Sequence, residues 1–574
     1  MIGARTTAHT TSHSQPPTAQ PTRADSVRHT VRADPTHPSR SILFSMHFHS
    51  MPRRIGHLTV GATLVLASAW TGPIFADDAL PPTVSAALQR AAIPESAVGI
   101  YIQRVGTAQW QSVAEDERGA AIEQTSGNTS SNTSSSTART LPRRSVARAG
   151  RIADTGNPAT LLSMHGESAM NPASTMKLIT TFAALELLGP AFTWKTVAAS
   201  NAPQVGNSLE GDLYLRGSGD PKFVVESFWL MLRQLRGRGV KTIRGDLVLD
   251  HGLFEAAQFD PSSFDSEPFR PYNVGPDALL VNFKAVTLRF IPDETRRDVR
   301  VAMEPLLADI TIGPIAFADG ACGDWKARAA ADFTRSDRIR FDGAYPASCG
   351  EQTWNISILD HRQYVAALFK SLWTELGGSL LGAIRDGTVP PDARTLVERE
   401  SPSLADVVRD INKFSNNVMA RELFLSLAAE TLRTPANPER GRRVIRSFYE
   451  NKGIAMPELV VENGSGLSRR ERISARSMAR VLQAAWASPV MPEFMSSLPL
   501  VGYDGTMKKR LNLRSVAGQA HIKTGSLAEV RGVAGYVLAA SGKRYVVVAF
   551  VNHPNAAGAQ PAQDALLQWV YDHG

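Results

Sequence analysis

The arrangement that most constrains the fold is a β-rich block enclosed by helical and mixed segments. Positions 195–390 show short alternating apolar runs separated by turn residues, which predicts strands. On both sides of this block, apolar residues recur at spacings of three and four, which predicts helices. We therefore predict an α+β fold that carries the β-rich block as an insertion. The flanking helix patterns cover 174–188, 403–432, 474–487 and 561–571, and the flanking strand patterns cover 98–103, 530–539 and 544–551.

The net charge of +8 overstates how basic the body of the chain is. Residues 1–76 hold seven arginines, no lysine and two aspartates, so they carry +5, and the other 498 residues carry +3. A body this close to neutral gives no electrostatic reason to bind nucleic acid. Six of the 13 histidines lie in the body without metal-ligand spacing, and two cysteines cannot form a four-cysteine zinc site. The sequence predicts neither a metal site nor a nucleic-acid partner.

The N-terminal region is typical of an export signal. Residues 1–45 lack an apolar run and resemble a disordered extension or sequence upstream of the true start. After Met51 come two arginines, an uncharged stretch over 58–69 and the small residue Ala76. This order predicts a signal peptide cut after Ala76 and a periplasmic protein with at most peripheral membrane association. A membrane anchor is the alternative, because the uncharged stretch is only just long enough to span.

Export would allow the two cysteines, Cys322 and Cys349, to form a disulfide. By the loop-entropy model such a bridge adds about 3 kcal/mol of stability. Two free buried thiols are the alternative. We expect the disulfide.

Positions 115–160 differ in composition from the rest of the body. The stretch 124–140 is mostly Ser, Thr, Asn and Gly, and an Arg-rich piece follows as far as Arg151. Such a tract cannot bury a core, so we predict a disordered insertion. Its basic piece could contact an anionic polymer, with a solvated loop as the alternative.

Two polar clusters lie at helix boundaries. Ser174 and Lys177 are three residues apart, which on a helix places the hydroxyl and the amine on one face. A lysine whose pKa is lowered by burial or by nearby cations can serve as the base that a serine nucleophile needs. In the second cluster, the Ser415 hydroxyl could relay a proton and the Asn417 amide could hold a substrate amide. Either cluster taken alone is more often a helix cap or a turn.

The third cluster, Lys523-Thr524-Gly525-Ser526, directly precedes a predicted strand. Its glycine would let a substrate come close to the backbone, while Lys523 and Thr524 offer a charge and a donor for a carboxylate. A turn that leads into the strand is the alternative for this cluster alone.

Together the clusters follow the order S-x-x-K, S-x-N, K-T-G, which is far more specific than any one of them. The chain thereby resembles the penicillin-binding proteins and class A β-lactamases. From about residue 82 to the C-terminus, excluding 115–160, it is most similar to the D-alanyl-D-alanine carboxypeptidase/endopeptidases of peptidase family S13, the low-molecular-mass class C penicillin-binding proteins. The segments that carry this resemblance are MNPASTMKLIT at 170–180, GDLYLRGSGDP at 211–221, PYNVGP at 271–276 and NGSGLSR at 463–469, where the family has D-G-S-G-L-S-R.

The resemblance implies a β-lactamase/transpeptidase-like fold. In this fold, helices flank an antiparallel sheet, a helical lobe lies beside it, and two smaller nested domains are inserted between the first two motifs. The expected division is domain I at 82–193 and 389–574, domain II at 194–222 and 289–388, and domain III at 223–288.

The resemblance also implies a reaction. Ser174 would attack the carbonyl between two D-alanines of a peptidoglycan stem peptide while Lys177 takes its proton. Ser415, with Lys523, would pass a proton to the leaving amine. Asn417 would hold the substrate amide and keep Lys177 in place. Water would then release the acyl group.

Substrate recognition follows from the third motif in the same way. Lys523, Thr524 and the strand backbone with Gly525 would bind the terminal carboxylate, and the backbone N–H groups of Ser174 and Ser526 would form an oxyanion hole. The resemblance implies inhibition by β-lactam antibiotics and requires no metal or organic cofactor.

Two other functions remain open. A serine β-lactamase shares the three motifs, although the long insertion and the lack of a recognisable deacylating Glu motif argue against it. A non-catalytic wall-binding scaffold could keep the fold, although the intact motif residues argue against decay. The sequence does not separate carboxypeptidase from endopeptidase activity, because both cleave after a D-alanine.

Overall fold

The computed structural model describes residues 79–106, 159–255 and 259–574, all within one unit of the chain, Thr71–Gly574. The predicted signal peptide and positions 115–158 lie outside the described residues. No helix in the described ranges is long and apolar enough to cross a membrane. The helices are α1 (Pro82–Arg90), α2 (Lys177–Leu188), α3 (Val225–Gly237), α4 (Trp325–Ala329), α5 (His361–Glu375), α6 (Leu404–Phe414), α7 (Asn417–Leu432), α8 (Pro438–Asn451), α9 (Ala475–Trp486), α10 (Met491–Ser497) and α11 (Gln560–His573).

The described strands come from both ends of the chain and from the inserted block. Those outside the block are β1 (Val98–Arg104), β2 (Thr160–Met164), β20 (Ala520–Leu527), β21 (Val530–Leu538) and β22 (Arg544–Asn552). Those in the block are β3 (Lys195–Ser200), β4 (Gln204–Val205), β5 (Ser208–Leu209), β6 (Leu213–Arg216), β7 (Thr242–Ile243), β8 (Leu247–Asp250), β9 (Val286–Asp293), β10 (Asp298–Glu304), β11 (Thr311–Ile312), β12 (Ala316–Ala318), β13 (Ala331–Arg335), β14 (Arg338–Phe341), β15 (Ala344–Pro346), β16 (Gln352–Ile356), β17 (Ser379–Leu380), β18 (Ile384–Asp386) and β19 (Arg394–Glu400).

A five-stranded antiparallel sheet in the order β2-β1-β22-β21-β20 forms the framework. Its central strand β22 is almost continuously apolar because helices cover both faces of the sheet. Successive side chains point to opposite faces of a strand. Accordingly, Val548 and Phe550 join the core with α9, whereas Val547 and Val551 join the core with α1 and α11.

The helical lobe beside this sheet is built around α2, which contacts α6, α7, α8, α9 and α10. Every residue from Lys177 to Leu185 is buried, as expected for a helix surrounded by others. Phe182 illustrates the packing, since its ring lies 5.8 Å from that of Phe448 and 5.5 Å from that of Phe494. The surrounding helices thus fix the position of Lys177 at the start of α2.

The inserted block lies between α2 and α6 in the chain, and its described residues form five further sheets. Two of them, β18-β8-β6-β3-β19 and β17-β7-β5-β4, share a core with α3 and α5. The other three, β10-β9-β16, β11-β14-β13 and β12-β15, all fall within positions 286–356. A disulfide joins Cys322 to Cys349 in this inner part.

Strand pairing in the block does not follow the expected domain boundaries. Strand β19, expected in domain I, pairs with β3 of domain II, and β8, expected in domain III, pairs with β6 of domain II. Backbone pairing joins strands into one sheet, so we propose a different division. The outer inserted domain comprises 194–285 and 357–400, and the inner one comprises 286–356.

Candidate active site

Ser174 lies in a short 3-10 turn, Ala173–Met176, that leads directly into α2. Ala173, buried and not a glycine, has a φ of 45°, a conformation that costs energy and persists only when its surroundings impose it. The Asn171 side chain accepts a hydrogen bond from the Ala173 N–H at 2.9 Å. The Asn171 N–H in turn donates to Asn552 Oδ1 of β22 at 2.8 Å. The sheet therefore holds the backbone that presents Ser174.

Two glycines let other backbone segments approach this turn. A Cβ atom at Gly466, where φ is 81°, would lie 2.0 Å from the Ala173 carbonyl oxygen. One at Gly525 would lie 2.6 Å from the Pro172 carbonyl oxygen and 3.0 Å from the Ser174 nitrogen. Any side chain at either position would push the segments apart, so both glycines are needed to assemble the site.

Lys177 is fully buried, and its amine has three partners. Its Nζ lies 3.1 Å from Ser174 Oγ and 2.6 Å from Asn417 Oδ1, and it donates to the Ser465 carbonyl oxygen. The Asn417 and Ser465 oxygens only accept hydrogen bonds, so they take two N–H groups. When the amine is neutral, its lone pair is therefore left facing the Ser174 hydroxyl.

The surroundings of Lys177 favour that neutral form. Burial lowers the pKa of Lys177 well below its usual 10.5, and the nearby cations Lys523 and Arg421 lower it further. The carboxylate of Glu471 acts in the opposite direction and raises the Lys177 pKa. An amine kept neutral beside a serine hydroxyl can accept the proton of that hydroxyl.

Ser415 and Lys523 form a second pair of hydroxyl and amine. Ser415 joins α6 to α7 with a φ of 56°, and the following residue, Asn416, caps α7 by accepting from the Met419 N–H at 3.1 Å. Lys523 Nζ donates to Ser415 Oγ at 2.9 Å and to the Thr524 carbonyl oxygen at 2.7 Å. Lys523 is fully buried, and this burial lowers its pKa to about 7.

Strand β20 offers an open edge beside these groups. It is an outer strand of the sheet, and its start is covered by segment 499–501, with the Ile522 N–H donating to the Pro499 carbonyl oxygen at 2.8 Å. From Lys523 to Leu527, no described backbone segment pairs with that edge. Thr524 lies along it with its hydroxyl donating to Thr506 Oγ1 at 2.8 Å, and Ser526 is exposed. Such an edge can bind an extended peptide by adding a strand.

The structure thus brings the three motifs to one place, with Ser174, Lys177 and Asn417 in one hydrogen-bonded set and Ser415 and Lys523 in the other. It also adds residues that the sequence analysis did not assign to the site. The NGSGLSR segment was the available signal for the Ser465 carbonyl, whereas nothing in the sequence marked Glu471 or Thr506. In the described ranges, no group of three or more His, Cys, Asp or Glu side chains could hold a metal ion.

The chain is similar to known proteins over most of its length. The D-alanyl-D-alanine carboxypeptidase of Actinomadura sp. strain R39 is 30% identical over 434 residues, which are 72% of this chain and 79% of that protein. The carboxypeptidase DacB of Haemophilus influenzae is 25% identical over 431 residues, 71% of this chain and 85% of that protein.

The fold is shared with solved structures as well. The crystal structure of penicillin binding protein 4 from Haemophilus influenzae superimposes with a TM-score of 0.66 at 21% identity, covering 85% of this chain and 99% of that one. A second structure of that protein, complexed with a β-lactam, gives 0.63. A family model, "D-Ala-D-Ala carboxypeptidase 3 (S13) family", matches residues 131–572. The chain belongs to this S13 family of D-Ala-D-Ala carboxypeptidases.

Proposed function

We propose that this serine-type D-Ala-D-Ala carboxypeptidase is exported and cleaves peptidoglycan stem peptides through an acyl-enzyme on Ser174. We propose that β-lactams acylate the same serine. The observation that carries this proposal is the Lys177 amine. Two of its hydrogen-bonding positions are taken by fixed acceptors, and the remaining position faces Ser174 Oγ at 3.1 Å. A buried base aimed at one hydroxyl is what a serine nucleophile needs.

Acylation would begin when Ser174 Oγ attacks the carbonyl between the two D-alanines. The proton leaves Ser174 for Lys177, whose third N–H then completes its set of three hydrogen bonds. The backbone N–H groups of Ser174 and Ser526 would stabilise the oxyanion. Losing one such donor typically costs about 100–1000-fold in rate.

The second pair of side chains suits the leaving group. Ser415 is hydrogen-bonded to Lys523, whose pKa of about 7 allows the pair to deliver a proton near neutral pH. The departing nitrogen of the D-alanine takes that proton, and the C–N bond breaks. Water later hydrolyses the ester: Ser174 Oγ takes back the proton held by Lys177, and a proton of the attacking water restores Lys523.

The open edge of β20 suits recognition of the substrate. A stem peptide lying along Lys523–Leu527 would place its terminal carboxylate near Lys523 and the Thr524 hydroxyl, while Gly525 lets the turn that carries Ser174 lie against the same strand. Asn417 uses its carbonyl oxygen on Lys177, so its amide N–H₂ is left to bind a substrate carbonyl. The same geometry would serve a cross-linked peptide, and we include endopeptidase cleavage in the proposal.

Export is proposed on two grounds. The N-terminal sequence has the order of a cleaved signal peptide, with the cut after Ala76 and a periplasmic location as the consequence. The Cys322–Cys349 disulfide supports it, because disulfides persist outside the reducing cytoplasm.

The test is the intact mass of residues 77–574 after incubation with benzylpenicillin, with peptide mapping and a time course. One stable adduct on Ser174, absent from Ser174→Ala with unchanged circular dichroism and melting temperature, is the expected result. We expect the acylation rate to fall by at least about 1000-fold in that variant. An adduct on another residue, or none in folded protein, would overturn the proposal.

The same time course separates the alternatives. Fast loss of the adduct with consumption of the drug would identify a β-lactamase, and no reaction at all would favour a non-catalytic scaffold. Release of free D-alanine from a pentapeptide, compared with cleavage of cross-linked muropeptides, divides carboxypeptidase from endopeptidase activity.

A further inference from the structure

The loop that contacts Lys177 departs from the motif of the related proteins at one position. The segment NGSGLSR begins with Asn463 where the motif D-G-S-G-L-S-R has an aspartate. Asn463 Oδ1 accepts from Ser465 N–H at 3.0 Å and from Ser465 Oγ at 2.7 Å, and its Nδ2 donates to the Leu467 carbonyl oxygen at 3.0 Å. The side chain shapes the loop, but it carries no charge.

A buried carboxylate lies directly behind this asparagine. Glu471 is 0% exposed, and its Oε1 accepts the backbone N–H groups of Glu462 at 3.1 Å and of Asn463 at 3.2 Å. Its other oxygen, Oε2, is buried and has no hydrogen-bond partner within the described part of the chain. Burying a carboxylate is costly unless a nearby cation compensates it, so this placement calls for a partner.

Two buried cationic side chains interact with the Glu471 carboxylate, Lys177 of α2 and Arg421 of α7. Of these two, Lys177 is the one whose amine contacts Ser174. The Lys177 amine donates to the Ser465 carbonyl oxygen, which lies two residues beyond the backbone that Glu471 holds. The other charged groups that act on Lys177 are Lys523 of β20 and Arg421 of α7, and both oppose a proton on Lys177. Burial raises the pKa of Glu471 to about 6, the two backbone N–H groups lower it, and Lys177 lowers it further.

We propose that Glu471 is a positioning residue that supplies the negative charge missing at position 463, where the family motif has an aspartate. It holds the loop from Glu462 to Ser465 against Lys177, and its charge stabilises the ammonium formed when Lys177 removes the Ser174 proton. This inference rests on the proposed function.

The proton balance of the step is simple. The O–H bond of Ser174 breaks, the N–H bond forms on Lys177, and the serine oxygen bonds to the substrate carbonyl carbon. Glu471 gains and loses no proton in this step, since it acts only through its charge and its two backbone hydrogen bonds.

The test is the pH profile of acylation by benzylpenicillin in the wild type, Glu471→Gln and Asn463→Asp/Glu471→Gln. Glutamine keeps the acceptor for the two N–H groups and removes the charge. The Lys177 pKa should then fall, so the acid limb of the profile should move to lower pH by about one unit. The maximal rate constant should drop roughly three- to ten-fold, because Lys177 becomes a weaker base. The double variant returns a carboxylate to position 463 and should recover at least half of the shift.

Glu430→Gln is the matched control, because it removes a partly exposed carboxylate of α7 that pairs with Arg433 at 2.8 Å and lies outside the loop. Its acid limb should not move. If Glu471→Gln does not fold, Asn463→Asp alone tests the inference, since a second carboxylate should move the limb to higher pH.

Three results would overturn the inference: an acid limb that Glu471→Gln leaves in place, a rate loss that is uniform across pH, or no recovery in the double variant. Failure of the proposed function is a different result, because the wild type would then form no adduct on Ser174 at any pH.

Discussion

Helix α7 connects two regions in which ionisable side chains are buried, and burial shifts their pKa values in opposite directions. Its first residue, Asn417, faces the active site between α2 and β20, which we call the cleft, where the buried ionisable groups include the amines of Lys177 and Lys523. One turn later, Glu422 faces the inserted block and accepts the Asp277 N–H at 2.7 Å. We call this second region the junction and define it by Asp220, His251, Asp277 and Glu422. The buried groups are amines in the cleft and mainly carboxyl groups at the junction.

Burial lowers the pKa of an amine and raises the pKa of a carboxyl group, and both effects occur along α7. Burial lowers the pKa of Lys523 to about 7, and it raises the pKa of Asp220 to about 7 and that of Glu422 well above its usual value. Desolvation drives every one of these groups toward its neutral form. A neutral amine is a base that can accept a proton during a reaction. A neutral carboxyl group at the junction mainly forms hydrogen bonds between α7 and the inserted block.

The largest effect is expected from Lys177→Met. Loss of the base should reduce penicillin acylation by about 1000-fold or more. The free energy of unfolding should change by less than about 2 kcal/mol, because relief of a desolvated amine offsets two lost hydrogen bonds. Stopped-flow acylation and urea unfolding measure the two quantities.

A second buried lysine supplies the control for that experiment. Lys452 pairs with Glu186 at 2.8 Å, far from Ser174 in sequence and outside both hydrogen-bonded sets. Lys452→Met should leave acylation unchanged and destabilise the fold by about 3 kcal/mol, because Glu186 loses its partner. Equal stability losses in the two variants would contradict the distinction between reactive and structural buried lysines.

At the junction, Asp220→Asn should have a pH-dependent effect on stability. The folded state holds a proton on Asp220 up to about pH 7, while the unfolded chain loses it near its usual pKa of 3.8. Wild-type stability therefore falls as the pH rises through this window, and asparagine removes that loss. The gain in unfolding free energy should grow from near zero at pH 4 to a plateau above pH 7 of up to about 4 kcal/mol. Unfolding at pH 4, 5.5 and 7.5 measures it, and a gain independent of pH would be the contrary result.

The smallest effect is expected at the rim of the cleft. Thr506→Val removes the hydrogen-bond partner of the Thr524 hydroxyl. The value of KM should rise about three- to ten-fold for a peptide with a free terminal carboxylate, in line with one lost hydrogen bond. Thr506→Ser should restore it, and a peptide with a C-terminal amide should be insensitive to both changes. Equal effects on both peptides would show that Thr506 only supports the fold.

The sequence predicts β1, β21 and β22 of the framework sheet and the helices α2, α6, α7, α9 and α11, but not the strands β2 and β20 or the helices α1, α8 and α10. It also identifies the motifs that the structure brings together. It did not predict α3 and α5 within the inserted block, where Phe, Trp and Val favour strands as local residues and only packing against the small sheets makes the segments helical. The expected division of the block into domains II and III stays a prediction, although strand pairing favours a different division. Strands of two to four residues, such as β6 and β8, are too short for their sequence pattern to predict which strands they pair with.

The burial of Glu471 is likewise a feature that the sequence alone did not predict. It stands between Arg470 and Arg472 in a run of charges that is typical of solvent-exposed surface. Only the packing of the loop against α2 turns this residue inward. Asn463 was visible as a departure from the family motif, but its compensation eight residues later depends on tertiary structure.

The placement of β22 between β1 and β21 has a consequence for the order in which the chain can fold. Val98 pairs with Val551, so strands from the two ends of the chain meet at the centre of the framework sheet. A ribosome releases β22 last, whereas every strand of the inserted block finds its partners between positions 195 and 400. The block can therefore fold while synthesis continues, and the sheet that holds Ser174 cannot. An incomplete chain would contain a folded insertion and no working nucleophile.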